Sequence, residues 1–141
     1  MRFMILVKHD AADEAAENAG PPSDELLAAM GKFNEDMVKA GVLLAGDGLL
    51  PSSKGARVRF HGDGRTTVTD GPFTESKELV GGYWVLQVKS KDEAVEWASR
   101  IPFEGGEVEV RQMSELEDFP PEVAEKERAL LEEMQRQQAE R

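Results

Sequence analysis

Residues 83–102 read YWVLQVKSKDEAVEWASRIP, and this stretch decides the fold of the chain. Its first six residues carry apolar side chains on both parities, which predicts a strand buried on both faces. Ser90 then caps a helix, Glu93 three positions later completes a capping box, and Pro102 ends the helix. The apolar face of this helix consists of Ala94, Val95, Ala98 and Ile101.

A second strand–helix pair lies nearer the N-terminus. Residues 3–7 read FMILV, a strand candidate, and Ser23 begins a helix as its N-cap. Gly41 follows that helix, and residues 42–50, VLLAGDGLL, form the next strand. Residues 10–22 are small and acidic and end in Gly-Pro-Pro, which predicts a mobile loop. The apolar face of the helix consists of Leu26, Met30, Phe33 and Met37, widened by Leu27 and Val38.

A hairpin and a last strand complete the order of elements. Residues 57–61 and 66–69 read as two strands joined by Gly-Asp-Gly, and residues 107–111 alternate as a further strand. With the hairpin as an insertion, the order is βαββαβ, which predicts a ferredoxin-like α+β fold. Both helices then cover one face of an antiparallel sheet. The other face is also apolar, so we expect a second copy to cover it in a homodimer.

The last residues differ in composition from this core. From Met113 onward the chain has 9 acidic and 4 basic side chains, a net charge of −5. Residues 120 and 121 are both proline and begin a polar, helix-prone segment with too few apolar residues for a heptad repeat. We therefore divide the chain into a core domain, residues 1–112, and an acidic helical tail, residues 113–141. The larger apolar side chains of the segment that begins at Pro120 are Val123, Leu130, Leu131 and Met134.

Composition excludes several classes of function. The 28 acidic and 17 basic residues give a net charge of −11, which disfavours binding to nucleic acids and anionic membranes. The absence of cysteine excludes disulfides, thiolate metal sites and thiol catalysis. With no apolar run of about 18 residues and no signal-peptide pattern, we expect a cytoplasmic protein. Phosphate-loop, dinucleotide, serine-hydrolase and zinc-protease motifs are missing, so we expect no cofactor and no metal site.

Residues 70–102 closely resemble the signature of the DGPF-motif branch of the YCII-related family. The resemblance extends over about residues 1–112 and implies a ferredoxin-like domain paired into a dimeric α/β barrel. It implies no established activity. Relatives are often labelled as companions of alternative sigma factors, which points to gene context rather than mechanism. The residues that carry the resemblance are Asp70, Gly71, Pro72, Phe73, Glu75, Lys77, Glu78, Gly82, Glu93, Ala94 and Ala98.

The sequence departs from the wider family at a mechanistically important position. Some members are proposed to act through a His–Asp dyad whose histidine lies on the first helix, three turns before its closing glycine. Counting back from Gly41 places that position near Met30, and residues 23–40 contain no histidine. The dyad therefore does not carry over. Relatives also often have a proline after the arginine of the last strand, where Gln112 follows Arg111 here.

Asp70 is the candidate catalytic residue, and two readings of it stay open. It either caps a turn with Gly71 and Pro72, or faces the end of the barrel as a base or ligand anchor. Beside it, Glu75 and Lys77 either form surface ion pairs or bind an anionic group of a ligand.

Three further residues are ligand-binding candidates. Asp47 lies between two glycines in an apolar strand, where a bulge would re-aim its side chain. Tyr83 and Trp84 face opposite sides of their strand, so one fills the core and the other faces a pocket or the dimer interface. His9 follows the first strand and is the better placed of the two histidines to replace the missing proton carrier.

Three functions remain open on these grounds. The first is a small-molecule-binding domain, which is a cofactor-free enzyme if a carboxylate transfers a proton. The second is a regulatory module whose acidic tail binds a basic protein partner of the sigma-factor type. The third is a stable dimer in which the motif serves folding alone.

Overall fold

A computed structural model describes residues 1–18 and 20–140 of the chain. It contains six strands, four α-helices and two short 3-10 turns within those residues. The strands are β1 (Arg2–His9), β2 (Leu43–Gly48), β3 (Ala56–Phe60), β4 (Thr66–Asp70), β5 (Leu79–Gln87) and β6 (Glu107–Gln112). The helices are α1 (Ala11–Asn18), α2 (Asp24–Lys39), α3 (Lys91–Ser99) and α4 (Pro121–Ala139). The 3-10 turns are Ser52–Lys54 and Leu116–Asp118.

Four strands form one antiparallel sheet in the order β2-β5-β1-β6. Because β1 lies between β5 and β6, the β5–α3–β6 unit is split, as in the ferredoxin-like arrangement. β3 and β4 pair only with each other as a separate two-stranded sheet among the described residues. The predicted α+β class and the inserted hairpin are therefore confirmed, and the topology is consistent with a ferredoxin-like fold.

The core fills the space between one face of this sheet and helices α2 and α3. Phe3 and Ile5 of β1, Met37 of α2 and Leu86 of β5 are fully buried there. Phe33 packs edge-on to both buried indoles, with ring centroids 5.8 Å from Trp84 and 6.4 Å from Trp97. Alternate residues of each strand supply this face, because successive side chains of a strand point to opposite sides.

The helix ends follow from local side-chain chemistry. Ser23 Oγ accepts a hydrogen bond of 3.1 Å from the backbone N–H of Leu26, and Ser90 Oγ accepts one of 3.1 Å from that of Glu93. Gly41, with φ of +74°, follows α2 in the left-handed conformation that glycine adopts without steric cost. The predicted caps of α2 and α3 are therefore confirmed.

The prediction of a mobile loop over residues 10–22 is wrong for the first half of this segment, because Ala11–Asn18 forms helix α1. Asp10 and Asp13 cap this helix reciprocally: the N–H of Asp13 donates to Asp10 Oδ1 at 2.9 Å, and the N–H of Asp10 donates to Asp13 Oδ2 at 2.8 Å. The alanines that made the segment resemble a loop by their small size are strong helix formers. The hydrogen bond from the Asp13 backbone is the main reason that the pKa of Asp10 lies below its usual value.

Two predicted helix faces also differ in detail. Val95 of α3 is exposed, and Trp97, two residues later, is the side chain that α3 buries beside Ala94. In α2 both marginal residues of the predicted face, Leu27 and Val38, are exposed. In both helices only the side chains that contact the sheet are buried, because this contact covers a narrower stripe of each helix than the apolar stripe predicted from the sequence.

The segment after β6 returns to the start of the chain and then continues into α4. The guanidinium Nε of Arg2 lies 3.1 Å from Glu115 Oε1, and the N–H of Met113 donates to the carbonyl of Arg2 at 2.9 Å. In α4 the buried side chain is Ala124, and the larger apolar side chains stay exposed. None of the described helices is both long and apolar enough to cross a membrane.

Candidate functional site

A cavity of about 860 Å³ lies between α2 and the β2–β5 edge of the sheet. Its size falls in the range of sites that enclose drug-sized ligands, about 300–1,000 Å³. α2 supplies one wall, and β2, β5 and the end of β1 supply the other. The lining residues from α2 are Leu26, Leu27, Met30 and Asn34; those from the strands are Val7, His9, Leu43, Gly46, Asp47, Gly48, Gly81, Gly82, Tyr83 and Trp84. Residues between elements complete the wall: Gly20, Pro21, Pro22, Leu49, Leu50, Pro51 and Phe103, with Ala16 of α1.

Glycines in the strands make room for two rings at this cavity. A Cβ at Gly46 would lie 2.8 Å from Cδ1 of Trp84, and a Cβ at Gly81 would lie 2.2 Å from Cε1 of His9. Such distances are far below van der Waals contact, so both positions require glycine as long as the rings stay in place. The β1–β5 pairing also shifts register between Val7 and Lys8, directly beside this imidazole.

Trp84 is held in the wall by a side chain of α2. Its indole Nε1 donates a 2.9 Å hydrogen bond to Oδ1 of Asn34, and both residues line the cavity. The bond also fixes the orientation of the Asn34 amide, because only the oxygen of that group accepts a hydrogen bond. Sequence reasoning missed Asn34. The available signal was its position four residues after Met30, on the same helix face.

The lining is mainly apolar, and several of its apolar side chains are exposed. Leu27, Leu49 and Leu50 are 54%, 46% and 77% exposed. None of the described lining residues is a lysine or an arginine. The described part of the chain also holds no group of three or more histidine, aspartate or glutamate side chains placed to bind a metal.

Asp47 and Tyr83 meet at one edge of this wall. The Tyr83 hydroxyl donates to Asp47 Oδ2 at 3.2 Å, and the two residues are paired across β2 and β5. This hydrogen bond, followed by the nearby negative charge, raises the pKa of Tyr83 above its usual value. Because strand side chains alternate, both side chains lie on the sheet face opposite Trp84. Trp84 fills the core, and Tyr83 faces the side of the sheet that the helices leave uncovered.

The structure brings together three of the six candidate residues. His9, Asp47 and Tyr83 are among the residues that line the cavity, although the side chains of Asp47 and Tyr83 point to the other face of the sheet. Asp70, Glu75 and Lys77 are exposed and are not among its described lining residues. Asp70 is the last residue of β4, in the hairpin. The charged run after it also contains Glu78, whose Oε1 lies 3.5 Å from Nζ of Lys8.

The DGPF residues pack against the 3-10 turn Ser52–Lys54. A Cβ at Gly71 would lie 1.7 Å from the carbonyl oxygen of Ser52, so only glycine fits there. The N–H of Phe73 donates to Ser52 Oγ at 3.0 Å, and the Arg57 guanidinium lies 3.8 Å from the centroid of the Phe73 ring. The Gly71–Pro72 peptide bond is cis. These contacts tie the loop before β5 to the residues that follow β2.

Glu14 of α1 extends this connection and was missed by sequence reasoning. It is the buried charged side chain of the described residues, with 9% of its surface exposed. Its Oε1 accepts from Ser52 Oγ and its Oε2 from the Ser52 backbone N–H, both at 2.6 Å. We call this set of contacts, Glu14 to Ser52 to Phe73, the Glu14–Ser52 latch. It joins α1 to Pro51, and both contribute to the cavity wall.

Comparison with known proteins places the chain in a family. Residues 1–117 match the model of the YCII-related domain. An uncharacterized protein of Rhizobium meliloti (strain 1021) is 31% identical over 98 residues, which cover 70% of this chain and 77% of that protein. The match includes every strand and helix up to β6, and thus the whole cavity wall. The chain belongs to the YCII-related family, whose function is not established.

Proposed function

We propose that this protein is a small-molecule-binding domain whose ligand occupies the cavity between α2 and the β2–β5 edge. One observation carries the proposal: the cavity is large, mainly apolar and bordered by exposed leucines. Exposed apolar side chains that converge on one concavity are typical of a binding site, because they cost free energy unless a ligand or partner covers them.

Proton transfer is the finer form of this proposal. His9 supports it better than Asp70 does, because His9 lies in the cavity wall and Asp70 lies in the exposed hairpin. The helix position at which some relatives carry a histidine is near Met30, which lines the same cavity with an apolar side chain. A general acid or base must lie within hydrogen-bond reach of the ligand. In this proposal the reacting group therefore approaches β1 rather than α2.

The proposal includes a homodimer and membership of the DGPF-motif branch. The sheet face opposite the helices carries Met4 and Leu6 of β1, both half-buried, beside Val85 of β5. A second copy on that face would bury them in a dimeric α/β barrel. A Leu6→Asp substitution is then expected to convert a dimer into a monomer in sedimentation analysis. A wild type that is monomeric at all concentrations contradicts this part.

The experiment for the main proposal fills the cavity. Met30→Trp places an indole in it, and Val38→Trp places the same side chain on the exposed side of the same helix as a matched control. Binding of an uncharged apolar dye such as Nile red, titrated to saturation, is expected for the wild type and for Val38→Trp. Met30→Trp is expected to lose it. Equal binding by all three proteins, or saturable binding by none, would contradict the proposal.

A second candidate function rests on α4. Val123, Leu130, Leu131 and Met134 are all exposed on this helix, which belongs to the acidic tail. A helix with exposed apolar side chains and an acidic surround is suited to docking on a basic protein groove, such as one of a sigma-factor-type partner. Leu130→Ser with Leu131→Ser should then abolish salt-sensitive partner binding and leave dye binding in the cavity unchanged.

A further inference from the structure

We infer that the cavity takes an uncharged, mainly apolar molecule with a carbonyl oxygen, and that Asn34 Nδ2 donates the hydrogen bond that positions this oxygen. The inference rests on the proposed function and adds the class of ligand. Its basis is the contact of Asn34 with Trp84, together with the charge of the cavity wall.

The first step is the orientation of the Asn34 amide. Oδ1 faces the indole N–H of Trp84 at 2.9 Å, so Nδ2 occupies the other branch of the planar amide group. Within the described part of the chain, no hydrogen bond from Nδ2 is formed, and no buried side-chain nitrogen or oxygen lacks a partner. The amide nitrogen is therefore both accessible and unpaired. Since Asn34 lines the cavity, a ligand there meets this donor.

The second step concerns the charge of the ligand. A bound carboxylate or phosphate needs a cation or several N–H donors. The described lining contains neither lysine nor arginine, and its imidazole, His9, has its ring against Gly81. A bound cation would need a carboxylate. Asp47 is the carboxylate of the lining, and it accepts from Tyr83 on the opposite sheet face. Desolvating an unpaired charge is far more costly than desolvating a carbonyl, so the wall selects an uncharged ligand.

The third step is the penalty for a ligand without an acceptor. An apolar group placed against Asn34 would remove water from Nδ2 and leave that donor unpaired. An unpaired buried donor costs more than a formed hydrogen bond gains, which is why such sites reject analogues that lack the matching polar atom. The remainder of the ligand would pack against apolar residues of the wall. Those residues are Leu26, Met30, Leu43, Trp84 and Phe103.

The test uses two probes of nearly equal shape, 2-acetylnaphthalene and 2-ethylnaphthalene, which differ in the carbonyl oxygen. Their dissociation constants are measured through the fluorescence of Trp84 in a Trp97→Phe background, which leaves this one tryptophan. For each protein we take the ratio of the dissociation constants of the ethyl probe and the acetyl probe. The measured quantity is this ratio for the wild type divided by the same ratio for an Asn34 variant. Differences in hydration of the free probes cancel in this quotient.

Two variants remove the donor in different ways. Asn34→Asp keeps an oxygen for the Trp84 indole but has no amide, and Asn34→Leu removes the polar group without adding charge. Both are expected to reduce the preference for the acetyl probe about tenfold. Val38→Leu, a change on the exposed side of the same helix, is expected to keep the wild-type ratio. Thermal melts identify any variant that is unfolded.

The outcomes separate this inference from the proposed function. If both probes bind but the ratio is the same in the wild type and both Asn34 variants, the carbonyl inference is wrong and the binding function stands. Tighter binding of the anion 2-naphthoate than of 2-acetylnaphthalene overturns the uncharged class. If neither the probes nor Nile red bind the wild type, the proposed function itself fails.

Discussion

Replacing Ser52 by alanine tests whether the Glu14–Ser52 latch holds the cavity wall together. The change removes the hydroxyl that donates to Glu14 Oε1 at 2.6 Å and accepts from the Phe73 N–H at 3.0 Å. A hydrogen bond to a charged group contributes about 1.5–3 kcal/mol, and one between neutral groups about 0.5–1.5 kcal/mol. The expected loss in the free energy of unfolding is therefore about 2–4.5 kcal/mol.

The assay is urea unfolding, supported by thermal melts. A loss of this size is expected to lower Tm by about 10 °C in a chain of this length. Ser53→Ala is the matched control, because Ser53 occupies the same 3-10 turn and is exposed. Glu14→Gln removes the charge from the other side of the latch. In a double-mutant cycle, the variant with both Glu14→Gln and Ser52→Ala should lose clearly less stability than the sum of the two single-variant losses, since both changes remove one shared interaction.

Ser52→Ala should also loosen the wall of the cavity. Pro51 precedes Ser52, and Ala16 follows Glu14 on α1; both line the cavity. Faster hydrogen exchange is therefore expected in α1 of the variant, with weaker binding of the uncharged dye. The reasoning is refuted if Ser52→Ala unfolds within about 0.5 kcal/mol of the wild type, or if it matches Ser53→Ala.

Three further predictions address the motif and the titrating groups. Gly71→Ala is expected to lower the free energy of unfolding by about 1–3 kcal/mol or more through overpacking, whereas Asp70→Asn is expected to change it by less than about 0.5 kcal/mol. A large loss of stability in Asp70→Asn, measured by urea unfolding, would show that the Asp70 carboxylate stabilises the fold. Tyr83 is the one tyrosine of the chain, so absorbance titration at alkaline pH is expected to give a midpoint above the usual tyrosine pKa of about 10, and Asp47→Asn should lower that midpoint. The stability due to the Tyr83–Asp47 hydrogen bond is present below the usual pKa of tyrosine and is lost as pH rises through the folded-state pKa. The lowered pKa of Asp10 acts in the opposite direction, so its contribution to α1 is present above the usual pKa of aspartate and lost as pH falls through the folded-state pKa; hydrogen exchange of α1 that does not quicken in acid would contradict this.

The fold was readable from the sequence because its signals are local. Ser23 and Ser90 cap helices through hydrogen bonds to residues three positions away, and Gly41 ends α2 by its own backbone conformation. The apolar runs of β1 and β5 predict buried strands by length and parity. Helix α1, which the sequence predicts as a loop, also has a local capping signal. Asp10 caps the helix through Asp13, three positions away, but the small side chains that follow are also typical of a loop.

The sequence identifies the DGPF motif but does not by itself reveal what the motif does in the protein. The sequence identified the motif and its two readings, a turn or a reactive site. A choice between them depends on what surrounds the motif in space, and Ser52 is the residue that contacts Gly71 and Phe73. Asp70 lies at the end of the exposed hairpin and away from the cavity, whereas the other ligand candidates of β1, β2 and β5 lie in its wall.

The amino-acid sequence by itself determined the order of the strands and of helices α2, α3 and α4, most helix ends, the acidic composition of the tail and the family. Each of these depends on side-chain periodicity or on contacts within a few residues along the chain. Only the tertiary structure decided the cavity, the latch and the donor at Asn34. Their contacts join residues 38, 21 and 50 positions apart, from Glu14 to Ser52, from Ser52 to Phe73 and from Asn34 to Trp84. Such contacts leave no periodic trace in a sequence, because they form only when the helices have packed on the sheet.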